Sequence, residues 1–239
     1  MNNEDEGFFR RRTKNFRHSI VNGLTKRITP KLYEDIQYAK YDHLYGFTVP
    51  QLIFLCQRIE QVREVKGAIA EIGVYEGRTT VFINKYMDTE KIDKKYYAID
   101  TFSGFVPQDI EYEMSKRQKD PSMYTGFKTS KKAFDTTMNR NGIHRVVSIQ
   151  ADVNKYDLTS LGDLCFVLLD VDLYHPMNKS IKELYEILTP NGIMIVDDCD
   201  DKSIAWDGSD QAYKEFMQEI NQPVEIVLGK LGIIRKNMG

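Results

Sequence analysis

The sequence predicts an α/β fold built on a doubly wound, mostly parallel sheet of seven strands with an antiparallel last strand. From Gly67 onward, short apolar runs alternate with amphipathic helical stretches. This alternation is typical of parallel strands that are joined by crossover helices. Several of the apolar runs are hydrophobic at consecutive residues, as expected for strands that helices cover on both faces.

The elements are predicted in a regular order after a first helix at residues 49–64. The strands are expected at residues 68–74, 96–99, 146–149, 165–169, 193–196, 224–228 and 231–234. The helices between them are expected at residues 79–87, 130–139, 177–188 and 211–220. Only Gly229 and Lys230 separate the last two runs, which favours a hairpin and therefore an antiparallel final strand.

Composition excludes several classes of protein. The chain has 239 residues, of which 41% are hydrophobic and 28% charged, and its net charge is −2. The charge balance argues against a nucleic-acid protein that works by bulk electrostatics. No apolar run approaches the roughly 20 residues that cross a bilayer, and the first residues lack the apolar region of a signal peptide. The three cysteines form no CxxC motif, which disfavours a zinc site. We therefore expect a cytoplasmic protein.

Residues 1–47 are expected to form an N-terminal arm and helical extension ahead of a main domain at residues 48–239. Phenylalanines and basic residues alternate between Phe8 and Phe16. This pattern fits an arm that packs on a partner subunit, an anionic surface or a substrate, and it equally fits a solvated terminus. Because two-fold dimers are the commonest assembly, we expect a homodimer or higher homo-oligomer with the arm at the contact.

A polar insertion at residues 103–129 interrupts the alternation of strands and helices. It contains Pro107 and Pro121 together with several aromatic residues, and it follows the second predicted strand. In doubly wound sheets, ligands bind at the carboxyl ends of the strands. We therefore expect this insertion to form a lid over a substrate, with an ordinary surface excursion as the alternative.

The first strand ends in a turn that runs from Glu71 to Gly77, and a helix begins directly after it. Glycines there allow a sharp turn and a close approach to a ligand, and the helix N-terminus presents free N–H groups. The E-x-G-x-x-x-G spacing differs from the G-x-G-x-x-G of dinucleotide-binding proteins. The turn fits a nucleotide-like cofactor, although a tight strand–helix turn would look the same.

Acidic residues also end the second and third strands. Asp100 could accept both hydrogen bonds of a ribose diol, which an acid at this position does in nucleotide-binding folds. Asp152, which follows the third strand, could face an adenine edge.

Four aspartates follow the fourth and fifth strands: Asp170, Asp172, Asp197 and Asp198. Neighbouring parallel strands would bring them together, where they repel each other unless a cation or raised pKa values relieve the repulsion. A set of oxygen ligands favours Mg²⁺, Ca²⁺ or Mn²⁺ over zinc. The sequence thus predicts a divalent-cation site, and the alternative is that some of these carboxylates face solvent or cap helices.

Together these motifs resemble the TylF-type macrocin O-methyltransferase family. The resemblance rests on residues 71–77, 100–105, 170–174 and 197–198, in that order, and covers roughly residues 66–216. It implies the Rossmann-like fold of class I S-adenosylmethionine-dependent methyltransferases. It also implies Mg²⁺-dependent methylation of a hydroxyl on a sugar or sugar-containing small molecule, from a natural product or a surface polysaccharide.

The resemblance further implies a role for each site residue. The cofactor-binding residues would be Glu71, Gly73, Gly77, Thr79, Asp100 and Asp152. The metal ligands would be Asp170, Asp197 and Asp198, and Asp172 would be the general base. Two other functions stay open, a nucleotide-dependent oxidoreductase and a non-catalytic binding protein of the same fold. The missing G-x-G-x-x-G motif counts against the first, and the intact aspartates count against the second. The roles of His175 and Trp206 are left open.

Overall fold

A computed structural model describes residues 46–200 and 205–237 of the chain. The chain divides into two units, Met1–Thr48 and Val49–Gly239, and all helices and strands given below belong to the second. The expected N-terminal arm and helical extension lie outside the described residues, except for residues 46 and 47.

The described residues form helices and strands in alternation. The helices are α1 Val49–Gln61, α2 Arg78–Glu90, α3 Pro107–Arg117, α4 Lys131–Arg140, α5 Tyr174–Ile187 and α6 Asp207–Glu219. The strands are β1 Ala68–Ile72, β2 Tyr96–Asp100, β3 Val146–Gln150, β4 Leu164–Leu169, β5 Leu188–Val196, β6 Ile226–Val227 and β7 Leu231–Arg235. Within this described part, no helix is long and apolar enough to cross a membrane.

The strands form one sheet in the order β3-β2-β1-β4-β5-β7-β6. Strands β1 to β5 are parallel, and β7 is antiparallel to both β5 and β6. This arrangement confirms the predicted mostly parallel seven-stranded sheet with an antiparallel last strand. The strand order reverses between β1 and β4, and such a switch point opens a crevice at the carboxyl ends of the two strands.

The core lies on both faces of the central strand β4, whose six residues are all buried. On one face, α5 and α6 pack against the sheet through Met177, Ile181 and Phe216. A smaller cluster around Phe134 of α4 packs against β2. Because both faces of β4 are covered, its residues are apolar at consecutive positions. This is the pattern from which the sequence predicts a strand that is buried on both faces.

The observed elements differ from the predicted ones at several boundaries, and three of the differences have a local explanation. The insertion contains helix α3, which the sequence pattern misses because the helix buries two carboxylates, Asp109 and Glu113, rather than an apolar stripe. Strand β5 begins at Leu188 because residues 191 and 192 pair with the backbone of Lys236 instead of ending the element. Strand β6 is shorter than predicted because Leu228 already has a left-handed backbone with φ +50°.

Candidate active site

Glycines hold the turn after β1 in place by close packing. A Cβ at Gly73, where φ is +85°, would overlap the carbonyl oxygen of Asp170, so only glycine allows β1 and β4 to come this close. A Cβ at Gly77 would lie 2.6 Å from the ring of Phe134. Both glycines therefore have a packing role, and their contact with a cofactor stays a prediction.

The N-terminus of α2 faces the end of this turn. Gly77 is its N-cap residue and offers no side-chain cap, so the first-turn N–H groups are not capped by that residue. Thr79 lies in this first turn and is 8% exposed. The helix dipole makes such an end suitable for a carboxylate or another anion.

Asp100 fixes the glycine turn through its carboxylate. Its Oδ2 accepts hydrogen bonds from the backbone N–H groups of Val74 and Tyr75, both at 2.8 Å. Its Oδ1 accepts one from the N–H of Phe102 at 2.7 Å. Hydrogen bonds to a charged acceptor are among the strong ones. This anchoring role was not predicted from the sequence, and the ribose contact stays a prediction.

Glu71 lies inside the protein and is 2% exposed. Its Oε2 accepts hydrogen bonds from Thr80 Oγ1 at 2.6 Å and from Tyr96 OH at 2.7 Å, which links β1, α2 and β2. Burial raises the pKa of Glu71 to about 7; its two hydrogen-bond donors act against this, and the charge of Asp100 adds to it. These hydrogen bonds give Glu71 a structural role, and its contact with the cofactor stays a prediction.

Glu71→Gln should remove a pH dependence of stability. Between the ordinary Glu pKa of 4.5 and the native value of about 7, the folded state holds a proton that the unfolded state has lost. The free energy of unfolding therefore falls by about 1 kcal/mol per pH unit across this window and levels off above it. In urea denaturation from pH 5 to 8, stability should fall more steeply in the wild type than in the variant by about this slope, because other groups with raised pKa values, such as Asp109 and Asp197, titrate in both proteins. Parallel curves for the two proteins would contradict the assignment.

The four aspartates after β4 and β5 form an acidic rim. Backbone hydrogen bonds continue past the strands, from Asp170 N to the Ile72 carbonyl at 2.8 Å and from Asp197 N to the Leu169 carbonyl at 2.9 Å. Among the described residues, Asp170, Asp172 and Asp198 each offer one carboxylate oxygen within 4.8 Å of the others. The structure therefore brings together two of the predicted metal ligands, Asp170 and Asp198, with the predicted base Asp172, whereas the predicted ligand Asp197 is not in this group.

Two residues of the acidic rim have strained backbones. Asp172 has φ +62° and Asp198 has φ +56°, both in the left-handed region. For a residue other than glycine this conformation costs about 1–2 kcal/mol, and it persists only where the surrounding structure enforces it. Strain of this kind clusters at functional sites, and here it turns both carboxylates toward one point.

Burial and mutual repulsion dominate the electrostatics of the acidic rim. Burial, followed by the charge of Asp197, raises the pKa of Asp170 well above its ordinary value. Burial, followed by Asp198, does the same for Asp172 and raises the pKa of Asp197 to about 7. The Oδ1 of Asp197 is also buried without a hydrogen-bond partner. A buried unpaired acceptor beside three other carboxylates fits a cation site.

Lys230 is a member of this site that the sequence analysis missed. Its Nζ lies 2.7 Å from Asp197 Oδ2 and 3.2 Å from Asp198 Oδ1. Burial opposes the charge, but the carboxylates outweigh burial and raise the pKa of Lys230 above its ordinary value. The predicted hairpin could have indicated this position. Because β7 runs antiparallel to β5, the turn before β7 lies at the carboxyl end of β5.

Asp152 lies at the other end of the site, after β3. Its Oδ1 accepts a hydrogen bond from Asn154 N at 3.0 Å, and its Oδ2 pairs with Lys155 at 3.0 Å. The side-chain amide of Asn154 donates to Asp109 of the insertion at 2.9 Å. Burial, followed by the charge of Asp152, raises the pKa of Asp109 to about 6. The structure thus brings an insertion carboxylate beside Asp152, whose contact with adenine stays a prediction.

The insertion is fastened to the body of the domain by a buried ionic network. Glu113 Oε1 accepts a hydrogen bond from the backbone N–H of Tyr174, which starts α5. Glu113 Oε2 also lies 2.8 Å from Arg117 Nε, and Arg117 pairs with Asp207 of α6 at 2.9 Å. Because α5 begins two residues after Asp172, the hydrogen bond from Tyr174 to Glu113 helps to fix the backbone next to the acidic rim. The expected lid movement of the insertion stays a prediction.

Glu113→Ala should lower the free energy of unfolding by about 3 kcal/mol, because it removes one of the two carboxylates that pair with the buried Arg117 and leaves an N–H group of α5 without a partner. Chemical denaturation measures this loss. Glu219→Ala is the matched control, since Glu219 pairs with Lys182 at 2.6 Å but is 55% exposed. That control should change stability by no more than about 0.5 kcal/mol. Equal losses for the two variants would contradict the role given to Glu113.

An aromatic cluster lies beside the acidic rim. It consists of Tyr75 from the glycine turn, Phe105, Tyr124 and Phe127 from the insertion, and Trp206 from the segment before α6, with neighbouring ring centroids 5.4–6.1 Å apart. Phe127 is 44% exposed. Burial and nearby carboxylates, among them Asp172, raise the pKa of Tyr124 to about 12. The cluster therefore offers an apolar wall near the candidate base.

His175 lies on the insertion side of the site. Its ring stacks on Tyr112 at 4.3 Å, and its Nδ1 lies 3.9 Å from Asp109 Oδ1. The structure thus places His175 at the junction between α3 and α5 and joins it to neither the acidic rim nor the aromatic cluster.

The strand order, the glycine turn after β1 and the acidic strand ends define a class I methyltransferase fold. Many solved structures share this fold, among them the following three. The O-methyltransferase NovP matches with a TM-score of 0.67 at 16% identity over 84% of each chain. The calicheamicin methyltransferase CalS11 matches with a TM-score of 0.62 at 17% identity, over 98% of this chain and 93% of CalS11. The methyltransferase PaMTH1 of Podospora anserina, bound to S-adenosylhomocysteine (SAH), matches with a TM-score of 0.51 at 16% identity over 80% of each chain.

Residues 51–232 match the macrocin O-methyltransferase family, TylF, and the chain belongs to that family. Comparison with curated protein sequences finds no match. Family membership confirms the predicted resemblance and identifies the protein as an O-methyltransferase, which decides against a nucleotide-dependent oxidoreductase.

Proposed function

We propose that this protein is an S-adenosylmethionine- and Mg²⁺-dependent O-methyltransferase that methylates a hydroxyl of a sugar or sugar-containing small molecule. The observation that carries the proposal is the acidic rim, which lies at the β1–β4 switch point directly beside the glycine turn. One solved structure of CalS11 is described as a TDP-rhamnose 3′-O-methyltransferase, which supports a sugar acceptor. We also propose that the protein works in the cytoplasm and forms a homo-oligomer.

The residues around the glycine turn fit S-adenosylmethionine. The start of α2, where Gly77 provides no side-chain cap, suits the carboxylate of its methionine part. Asp100 would accept hydrogen bonds from the ribose, and Asp152 would lie near the adenine. PaMTH1, which shares the fold, was solved with the demethylated product SAH bound. The cofactor would supply an electrophilic methyl group. Glu71, Gly73, Gly77 and Thr79 would shape the turn that receives it.

The acidic rim fits a magnesium ion. The donors are all carboxylate oxygens, and the buried Asp197 Oδ1 has no hydrogen-bond partner. Hard oxygen donors of this kind suit Mg²⁺ and not zinc. The proposed ligands are Asp170, Asp197 and Asp198. The ion would supply Lewis-acid stabilisation of the negative charge that develops on the acceptor oxygen.

Asp172 is the proposed general base. Its carboxylate would take the proton of the acceptor hydroxyl. The oxygen would then bond to the methyl carbon while the sulfur–methyl bond of S-adenosylmethionine breaks and S-adenosylhomocysteine leaves. Burial and the charge of Asp198 raise the pKa of Asp172 when no cation is present. A bound cation would favour the ionised form of Asp172, which is the form that accepts a proton. The aromatic cluster excludes water from this region and holds the flat face of the acceptor, so positioning contributes to the rate.

Asp100→Ala should weaken binding of S-adenosylmethionine at least tenfold, since it removes a charge-assisted acceptor and releases the glycine turn. Isothermal calorimetry measures the affinity. Asp163→Ala, at a position where the side chain is 57% exposed and pairs with Lys66, serves as the control and should bind normally. Tight binding of NAD(H) together with no binding of any S-adenosyl ligand would overturn the cofactor assignment.

Asp172→Asn should keep metal and cofactor binding but lower turnover by about 100-fold or more, because the base is removed while the cation ligands remain. Asp197→Asn should instead lower the affinity for Mg²⁺. The assay is methyl transfer to a panel of sugars and catechol-like diols, with and without EDTA. Full activity in EDTA, or an Asp172→Asn enzyme as fast as the wild type, would falsify these roles.

A further inference from the structure

Lys230 brings a positive charge into the acidic rim that the proposed mechanism does not use. The lysine side chain is 25% exposed, whereas the side chain of its partner Asp197 is only 4% exposed. One ammonium therefore contacts two of the three carboxylates that are proposed to hold a divalent cation.

The hairpin between β6 and β7 fixes the position of Lys230. The Lys230 carbonyl accepts a hydrogen bond from Cys199 N at 2.8 Å, directly after the two aspartates of β5. On the other side, Gln51 of α1 donates through Nε2 to the Leu228 carbonyl at 3.0 Å. The backbone thus holds the lysine from both sides, so its contact with the acidic rim is part of the fold and not a chance surface pairing.

The charge balance explains why the fold would keep a lysine there. Carboxylate oxygens of Asp170, Asp172 and Asp198 lie within 4.8 Å of one another, and like charges at such distances repel each other. Removing one partner of a buried ion pair is strongly destabilising because the other charge stays uncompensated. At the same time, a fixed positive charge beside a cation site repels an incoming divalent ion.

We propose that Lys230 is the built-in counter-ion of the acidic rim. Its ammonium keeps Asp197 and Asp198 in place when no metal is bound. It also makes the divalent cation bind more weakly and exchange more readily than the same aspartates would without the lysine. The second part rests on the proposed function, because it takes a divalent cation to be the ligand of this site.

The first part is tested on the full chain in EDTA by thermal unfolding. Lys230→Gln should lower the melting temperature by about 4 °C or more, because two buried carboxylates lose their partner. Lys66→Gln is the matched control, since Lys66 also pairs with an aspartate but is 88% exposed. The control should stay within about 1 °C of the wild type. Equal melting temperatures for the two variants would overturn the counter-ion role.

A double variant keeps this test decisive if Lys230→Gln folds poorly. Lys230→Gln combined with Asp197→Asn removes both members of the ion pair, so the melting temperature in EDTA should return toward that of the wild type. A double variant that is less stable than Lys230→Gln alone would also contradict the proposal, since the loss would then not come from an uncompensated carboxylate.

The second part is tested by direct binding of Mn²⁺, followed by electron paramagnetic resonance or calorimetry. Lys230→Gln should bind Mn²⁺ at least threefold more tightly than the wild type, and Mg²⁺ should raise its melting temperature by a larger amount. Unchanged or weaker binding would refute the effect of Lys230 on the cation. A wild type that binds no Mn²⁺ would refute the cation site in the proposed function, while the EDTA measurements would still decide the counter-ion role.

Discussion

The close approach of β1 and β4 at their carboxyl ends is the constraint on which the rest of the site depends. Gly73 lacks the Cβ that would overlap the carbonyl oxygen of Asp170, so the two backbones can pass in contact. Hydrogen bonds from Asp170 to Ile72 and from Asp197 to Leu169 then carry this spacing across three strands. The glycine turn and the acidic rim share one edge of the sheet for this reason, and any side chain at position 73 would push them apart.

This edge concentrates negative charge where little water can screen it, and the fold offsets the resulting repulsion in two ways. Raised pKa values allow some of the carboxylates to hold protons, and the Lys230 ammonium contacts Asp197 and Asp198 directly. The left-handed backbone at Asp172 adds strain to the same region. Carboxylates that are crowded in this way oppose folding, but they can also act as bases and as cation ligands. Perturbed pKa values cluster at functional sites for this reason.

Much of the fold and part of the site follow from local sequence pattern. Consecutive apolar residues marked the buried strands, and the parallel neighbours β4 and β5 made the convergence of their aspartates predictable. The side chains of the site that the sequence did not predict come from elements that are distant in the chain. Lys230 reaches the acidic rim only because β7 pairs with β5, and Glu113 reaches the start of α5 only because a helix with few apolar residues folds back onto it. Hydrophobic periodicity carries no information about such polar long-range contacts.

The aromatic cluster has an optical consequence. Trp206 is the single tryptophan of the chain, and its ring lies 5.8 Å from both Phe105 and Tyr124, beside the acidic rim. Light that excites indole selectively therefore reports on one place in the molecule, the apolar wall next to the candidate base. A molecule that enters this region changes the polarity around that ring and hence the colour and intensity of its emission. For the acceptor proposed above, the protein would thus carry its own fluorescent reporter of binding, without any attached dye.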